Sequence, residues 1–417
     1  MWNPKRARRA GKLIRTAGIG LVLGTLLSLL AACGSDDPTP TAPPSAAETA
    51  TPDTREAWEV QWDELQVKAR EEGELVIIGG SAAVVYRPLF KYFGDKYGVK
   101  VRSSGGSSRE LVDRILAERN AGRFTIDLFI SGLGTSTQRL IPNGVLQPIE
   151  PLIILPGVND LSNWEGNTRR FVDPERTYII SYAATAGSGI TGSWYNTNRL
   201  TEDDVRSLTS VWDYLEKDWQ FVTTPPTDPG SAGGWNSRWF APDIGPEWVE
   251  AWIRNPNVTW MTDARAVQDG LVRGRWDLEI MTVGVGGEFD RLQSLAAPIK
   301  NIDQDPVIRD QWTDLNFLSG TASGDIVSAV EHPLNPAAQQ LLLNWWLSHE
   351  GQTQRHILTT DRNPSPTLRT DVTEWGNTLP EERREPGKGY AFIEDTPGYD
   401  PVQGLEDMQA LWASIHR

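Results

Sequence analysis

Residues 125–140, TIDLFISGLGTSTQRL, alternate and then stop alternating in a way that predicts strand, loop and helix in succession. Ile126, Leu128 and Ile130 fall on one side of an extended run, with Asp127 and Phe129 on the other. That nearly continuous apolar character suits a parallel strand covered on both faces. Ser131 ends the run, and Gly132, Gly134, Thr135 and Ser136 form a tight loop before the next helix. A loop of this kind presents free N–H groups at a helix N-terminus, beyond the carboxyl end of a strand, where open α/β sheets place ligands.

The same pattern reading extends in both directions. Trp58, Trp62, Leu65 and Ala69 are spaced for one buried helix face, with Glu72-Gly73 as the stop. A strand over 75–78 runs into Gly79-Gly80-Ser81, then come a helix over 86–97, a strand over 99–102, a Ser/Gly loop over 103–108 and a helix carrying Leu111, Ile115 and Leu116. With the strand at 125 these make a βαβαβ series, and right-handed crossovers bring Ser81, Ser104 and Ser131 to one rim. Beyond residue 146 the chain is irregular, with strands expected at 178–183 and 190–195. A helix over 201–215 is interrupted at Ser210, and a strand follows at 219–223. The loop 227–234 precedes a helix, two more helices cover 246–253 and 263–273, and a strand over 278–283 opens into Gly284 to Glu288. A strand over 324–330 leads to a helix with Asn335 as N-cap, Pro336 at its first position, and Leu341, Leu342, Trp345 and Trp346 on the buried side.

At 417 residues the chain is long enough for two lobes with a core each. Its start reads as a secretory signal, with a basic segment from Lys5 to Arg15, an apolar run from Ile19 to Leu30, and Leu30-Ala31-Ala32-Cys33 at the end. That tetrapeptide resembles the lipobox of bacterial lipoproteins, which implies a signal peptide over 1–32 and lipidation of Cys33. Residues 33–55, rich in Pro and Thr, are expected to be a disordered tether. Cys33 is the single cysteine, so this reading leaves no thiol for redox or nucleophilic work. The formal charge is −15, and more negative still without the basic first 32 residues. So acidic a chain speaks against nucleic acid as partner, and leaves membrane attachment to the lipid.

No catalytic residue is expected. The four histidines carry no H-E-x-x-H spacing, and no serine stands in a G-x-S-x-G elbow. The many carboxylates read as solvated surface. Trp235, Trp239, Trp248, Trp252 and Trp260 read as core before they read as a stacking platform. The Gly/Ser loops stand apart because they come from both halves: Ser81, Ser131, Gly132 and Thr135 from the first, and Ser231, Ala232, Gly233, Gly286, Gly287 and Glu288 from the second. Amides and hydroxyls meeting across a cleft hold a small polar or anionic solute with no cofactor, no metal and no catalysis.

Together the stretches IDLFISGLGTS, GITGSWYNT (189–197), SVWDYLEKDW, DPGSAGG, LVRGRWDLEIMTVGVGGE and EHPLNPAAQQLLLNWWLSHEGQTQ (331–354) resemble the periplasmic-type solute-binding proteins of ABC importers, in particular the ferric-ion-binding branch. The resemblance covers about Glu74 to Pro366. It implies an α/β, two-lobed periplasmic-binding-protein-like fold (type II), with lobe one over 56–189 plus 326–365 and lobe two over 190–325 plus 366–417. Crossing strands would join the lobes, with Tyr195 at the hinge. It further implies a monomer outside the membrane that hands its solute to ABC permease subunits. Where ferric binders carry a His, a Glu and a Tyr-Tyr pair, this chain has positions close to Ala82 and Gly132 and no Tyr-Tyr dipeptide. An anionic organic or phosphorylated solute, or a metal chelate held through its chelator, therefore fits better than bare Fe³⁺. Ferric-iron binding and a sensor subunit of a receptor are the alternatives.

Overall fold

The computed structural model describes residues 55–416 apart from 81, 107, 131, 186–192, 229, 281–285, 303–304, 313–316, 319–324, 361–363 and 385–388. Fourteen strands are described. The first sheet takes β1 (Glu74–Gly79), β2 (Lys100–Gly105), β3 (Leu128–Ile130), β4 (Leu146–Gln147), β5 (Arg170–Phe171) and β6 (Ile179–Ser181). The second takes β7 (Ser193–Asn196), β8 (Phe221–Thr223), β9 (Val258–Trp260), β10 (Leu278–Ile280) and β11 (Ile299–Asn301). Then follow β12 (Phe317–Leu318), β13 (Ile326–Val330), which returns to the first sheet, and β14 (Ala391–Phe392), which pairs with β12.

The first sheet has the order β2-β1-β3-β13-β6-β5, with β4 beside β13. Strands β1, β2 and β3 are parallel, as the βαβαβ reading requires, and β13 runs back between β3 and β6. The second sheet has the order β11-β7-β10-β8-β9, in which β8, β9 and β10 are parallel and β7 is antiparallel to its neighbours. Each sheet has its own aromatic-rich core, one holding Tyr86, Trp345 and Trp346, the other Trp235, Trp248 and Trp252. The mixed α/β architecture with two sheets is the expected type II fold.

The main helices are α1 (Ala57–Glu72), α2 (Ala82–Val85), α3 (Arg87–Tyr97), α4 (Ser108–Asn120), α5 (Leu133–Thr135), α6 (Pro156–Asn159), α7 (Glu202–Arg206), α8 (Ala232–Phe240), α9 (Gly245–Arg254), α10 (Ala264–Val272), α11 (Gly286–Ser294), α12 (Pro306–Gln311), α13 (Pro336–Leu347), α14 (His349–Leu358) and α15 (Pro401–Ile415). Gly73 stops α1 in the left-handed conformation, φ 77°, and its N–H bonds Ala69 O. The expected helix over 201–215 breaks into α7 and a separate 3-10 segment, Val211–Glu216, because Ser210 turns extended and caps the second piece through Trp212 N–H.

Helix α13 is buried on nearly every side. Asn335 does sit at its N-cap, but its side chain does not cap it. Glu72 supplies the acceptors, taking the Ala337 N–H at 3.0 Å and the Ala338 N–H at 2.8 Å. Asn335 instead gives its backbone N–H and its Nδ2 to the buried Asp127 carboxylate, at 2.6 and 2.9 Å. Two carboxylates thus meet the positive end of one helix, which favours both. Burial still pushes the Asp127 carboxyl above its ordinary range, against the bonds from Asn335 and Val76.

The tail divides between the cores. Leu368 and Phe392 pack in the first, whereas Ile393, Leu405 and Met408 pack in the second. The change of core thus falls between residues 392 and 393. The Trp set is mostly core: Trp235, Trp248 and Trp252 are fully buried, and Trp248 stacks on Trp252 with centroids 5.2 Å apart.

Candidate functional site

Strands β1 and β3 end side by side. A Cβ on Gly79 would stand 2.0 Å from Ile130 O, so only glycine allows the two strands to close together here. Immediately beyond, the backbone opens: a Cβ on Gly80 or on Gly132 would meet nothing within 4 Å. Gly132 has φ −65° and ψ 158°, extended backbone, and is the N-cap of the helical turn Leu133–Thr135. That turn runs on into a π-helical segment, Ser136–Leu140, closed by the Ile141 N–H on Ser136 O at 2.9 Å. Such π segments are frequent beside functional sites. Thr135 is buried, 4 % exposed, at the end of this first turn.

From the second sheet, β8 leads through Thr224 to a loop that builds the N-terminus of α8. Ser231 donates its N–H to Asp228 O at 3.0 Å, and its Oγ lies 2.9 Å from Pro225 O and 2.8 Å from Asp228 O. The hydroxyl proton of Ser231 is therefore spent inside the loop. The serine shapes the turn, and what the turn offers is backbone. The first intrahelical bond is Trp235 N–H to Ser231 O, so Ala232, Gly233 and Gly234 hold the first-turn N–H groups. Trp235 Nε1 donates to Thr224 O at 3.0 Å and fixes helix to loop. Helix α8 lies against α5 across the two lobes. A short helical turn from the first sheet's side and a helix from the second, both with glycine in the first turn, are thus in contact, and a helix N-terminus favours negative charge.

Other expected site residues fall as follows. Gly286 and Gly287 open α11, but the Glu288 carboxylate pairs with Arg291 on its own helix, which holds its pKa below the ordinary value. Two residues on, burial pushes the Asp290 carboxyl up to about 6. Tyr195 lies inside β7, 3 % exposed, opposite Leu278 and Lys300. The link before it, 186–192, lies outside the described residues, as do Ser81, Ser131 and Cys33. Ala82 is buried and apolar. Among the described residues no group of three or more His, Cys, Asp or Glu is arranged to hold a metal ion, and no helix is long and apolar enough to cross a membrane.

One group the sequence did not single out is Arg238, fully buried in α8 and packed toward the Trp248 ring at 5.8 Å. The helix GGWNSRWF gives no periodic hint that its arginine faces inward. It places a positive charge within the element that presents the first-turn amides.

Two sheets with separate cores, joined by passages of one chain, make a two-lobed α/β fold. The family model for bacterial extracellular solute-binding proteins matches residues 79–353, and the chain belongs to that family. This is a family of binding and transport proteins working with ABC importers. No curated protein matches the chain in sequence. Among solved structures it is similar to iron-bound HitA from Pseudomonas aeruginosa, with TM-score 0.53 and 14 % identity over 82 % of this chain and 99 % of that one. It is similar to AfuA from Actinobacillus pleuropneumoniae with fructose-6-phosphate bound, with TM-score 0.53 and 17 % identity over 82 % and 97 %. IdiA (FutA) from Trichodesmium, in complex with iron and citrate, gives TM-score 0.54 and 17 % identity over 81 % and 99 %. At these identities the likeness is one of fold.

Proposed function

We propose that this chain captures a small anionic solute between its lobes and delivers it to an ABC importer, held at the outer face of the membrane by lipid on Cys33. The observation that supports the reading is the contact between α5 and α8, the two elements whose first turns, Gly132–Thr135 and Ser231–Gly234, carry candidate residues from the two halves. Unpaired N–H groups and helix dipoles complement a phosphate or carboxylate without any charged side chain at the contact. The donor set is backbone amide, which suits an organic phosphate or a polycarboxylate, including a metal chelate gripped through its chelator. Hard cations such as Fe³⁺ call for carboxylate or phenolate oxygen instead. Relatives of the same fold hold fructose-6-phosphate in one case and iron with citrate in another, and both solutes belong to this chemical range.

A thermal-shift screen tests the reading, with fructose 6-phosphate, inorganic phosphate, citrate, ferric citrate, ferric salt, neutral sugars and polyamines as probes. A stabilisation confined to phosphate esters or to carboxylates and their chelates is expected. Stabilisation by sugars or polyamines alone would overturn the anionic assignment, and a response to ferric salt that citrate abolishes would restore direct metal binding.

A further inference from the structure

Residues 389–395 cross between the two cores within a single peptide step. Phe392 packs in the first core beside Tyr182 and Leu318, and the next residue, Ile393, packs in the second beside Leu405 and Met408. Strand β14 pairs in parallel with β12, so this passage runs alongside another one rather than alone.

Arg170 grips it from the first lobe. It stands on β5 at the sheet edge, 7 % exposed, with its guanidinium 3.8 Å from the centre of the Phe392 ring. Its Nη1 donates to the Asp395 carboxylate, two residues past the step and on the second lobe's side. A guanidinium so buried is stable only where paired and stacked, and here both partners are in the crossing strap.

The strap leads on to the solute cradle. The short turn Ile393–Asp395 contacts α8, and beyond it α15 packs on the same helix. Asn236 Nδ2 donates to Pro401 O at 3.0 Å, and a Cβ on Gly404 would stand 2.7 Å from the Phe240 ring. The segment that Arg170 holds therefore also seats α8, the helix in contact with α5.

We infer that Arg170 and Asp395 form an inter-lobe latch, a positioning pair that sets the separation of α5 from α8. Rotation of one lobe about the 392/393 step moves Asp395 with the second lobe while Arg170 stays with the first. Opening the cleft thus breaks the ion pair to Asp395, while the guanidinium stays stacked on the Phe392 ring within the first lobe. The inference uses the two-lobed reading of the site, and is independent of the solute's charge.

Because Cys33 is the only cysteine, Cys33→Ser gives a clean background for spin labels at Val67→Cys and Leu295→Cys, exposed positions, one in each lobe. Pulsed electron-electron resonance then reads the inter-lobe distance in the otherwise intact chain. Arg170→Ala and Asp395→Ala are each expected to broaden the distribution and move it to longer distance. The double variant should match the single ones, and Arg170→Lys, which keeps the charge without the planar stacking, should fall between. A reference-like distribution in both single variants, with circular dichroism unchanged, would overturn the latch. Should Arg170→Ala fail to fold, Asp395→Ala carries the same test, since its side chain is 53 % exposed. Distances that stay fixed refute the latch whatever the solute screen finds, and a failed screen leaves the distances to be read on their own.

Discussion

Gly132 offers a substitution that separates binding from folding. Its backbone is extended and a Cβ there meets no atom within 4 Å, so a side chain can start from this position without a backbone clash, and Gly132→Leu is expected to fold. Loss of glycine from the unfolded chain contributes about 0.4–1 kcal/mol in favour of the native state. The new side chain fills the space before the first-turn amides of Leu133 to Thr135, where backbone must approach the solute. A ligand present at about a hundred times its dissociation constant stabilises the native state by about 2.7 kcal/mol. At about 2.1 cal/mol/K per residue of unfolding entropy, a folded part of this size melts roughly 3–4 °C higher when loaded. Gly132→Leu is expected to keep or slightly raise the melting temperature of the free protein and to lose that ligand-induced rise. Gly79→Ala, at the end of the adjacent strand β1, is the contrasting control: its Cβ would stand 2.0 Å from Ile130 O, so the free protein itself should lose about 1–3 kcal/mol. A Gly132→Leu protein that melts as the parent does and responds to solute as the parent does would refute the placement of the cleft.

Glu72→Ala removes both acceptors at the start of α13 and should cost about 2 kcal/mol in urea unfolding, with Glu72→Gln, which keeps one carbonyl acceptor, losing about half as much. The pH dependence of stability should contain two opposing terms. Burial and the neighbouring Arg355 hold His356 down to about 3, so its contribution is present above the unfolded value of 6.5 and is lost as pH falls toward 3. Asp290, raised by burial to about 6, acts the other way: its contribution is present below 3.8 and lost as pH rises through 6. Asp290→Asn should therefore gain about 2–3 kcal/mol on the parent between pH 4 and pH 7 in denaturant titrations, and a constant difference across that range would show that the carboxyl is not so perturbed. Cys33→Ser should move the protein from the membrane to the soluble fraction on cell fractionation, and continued partition with lipid would argue against the lipobox.

Where local pattern decided the structure, it was legible in the chain. The apolar strand pieces 75–78 and 126–130, each running into glycine, predict β1 and β3 and the rim where their loops meet. The face Leu341, Leu342, Trp345, Trp346 predicts a buried helix, and the spacing of Trp248 and Trp252 predicts core. What escaped was set by contacts remote in sequence. Asn335 marks the start of α13 correctly, yet the capping carboxylate comes from Glu72, 265 residues before its Ala337 partner. Ser231 reads as a ligand hydroxyl until Pro225 and Asp228 are seen to face it. Arg170 and Asp395 lie 225 residues apart, and no periodicity connects a sheet-edge arginine to a tail that changes core at 392/393. The split of the expected helix at Ser210 was visible as an interruption, but its outcome, a 3-10 segment with its own cap, depended on packing around Tyr214 and Trp312.

An anionic solute held between α5 and α8 should remain with the protein through purification. Native mass spectrometry of the protein purified without refolding from cells that produce it tests this most directly, because a solute held between closed lobes survives into the gas phase with its mass. A single bound organic phosphate, polycarboxylate or polycarboxylate chelate is expected, lost from Gly132→Leu. A mass increment of iron alone, or of a neutral sugar that Gly132→Leu retains, would contradict it.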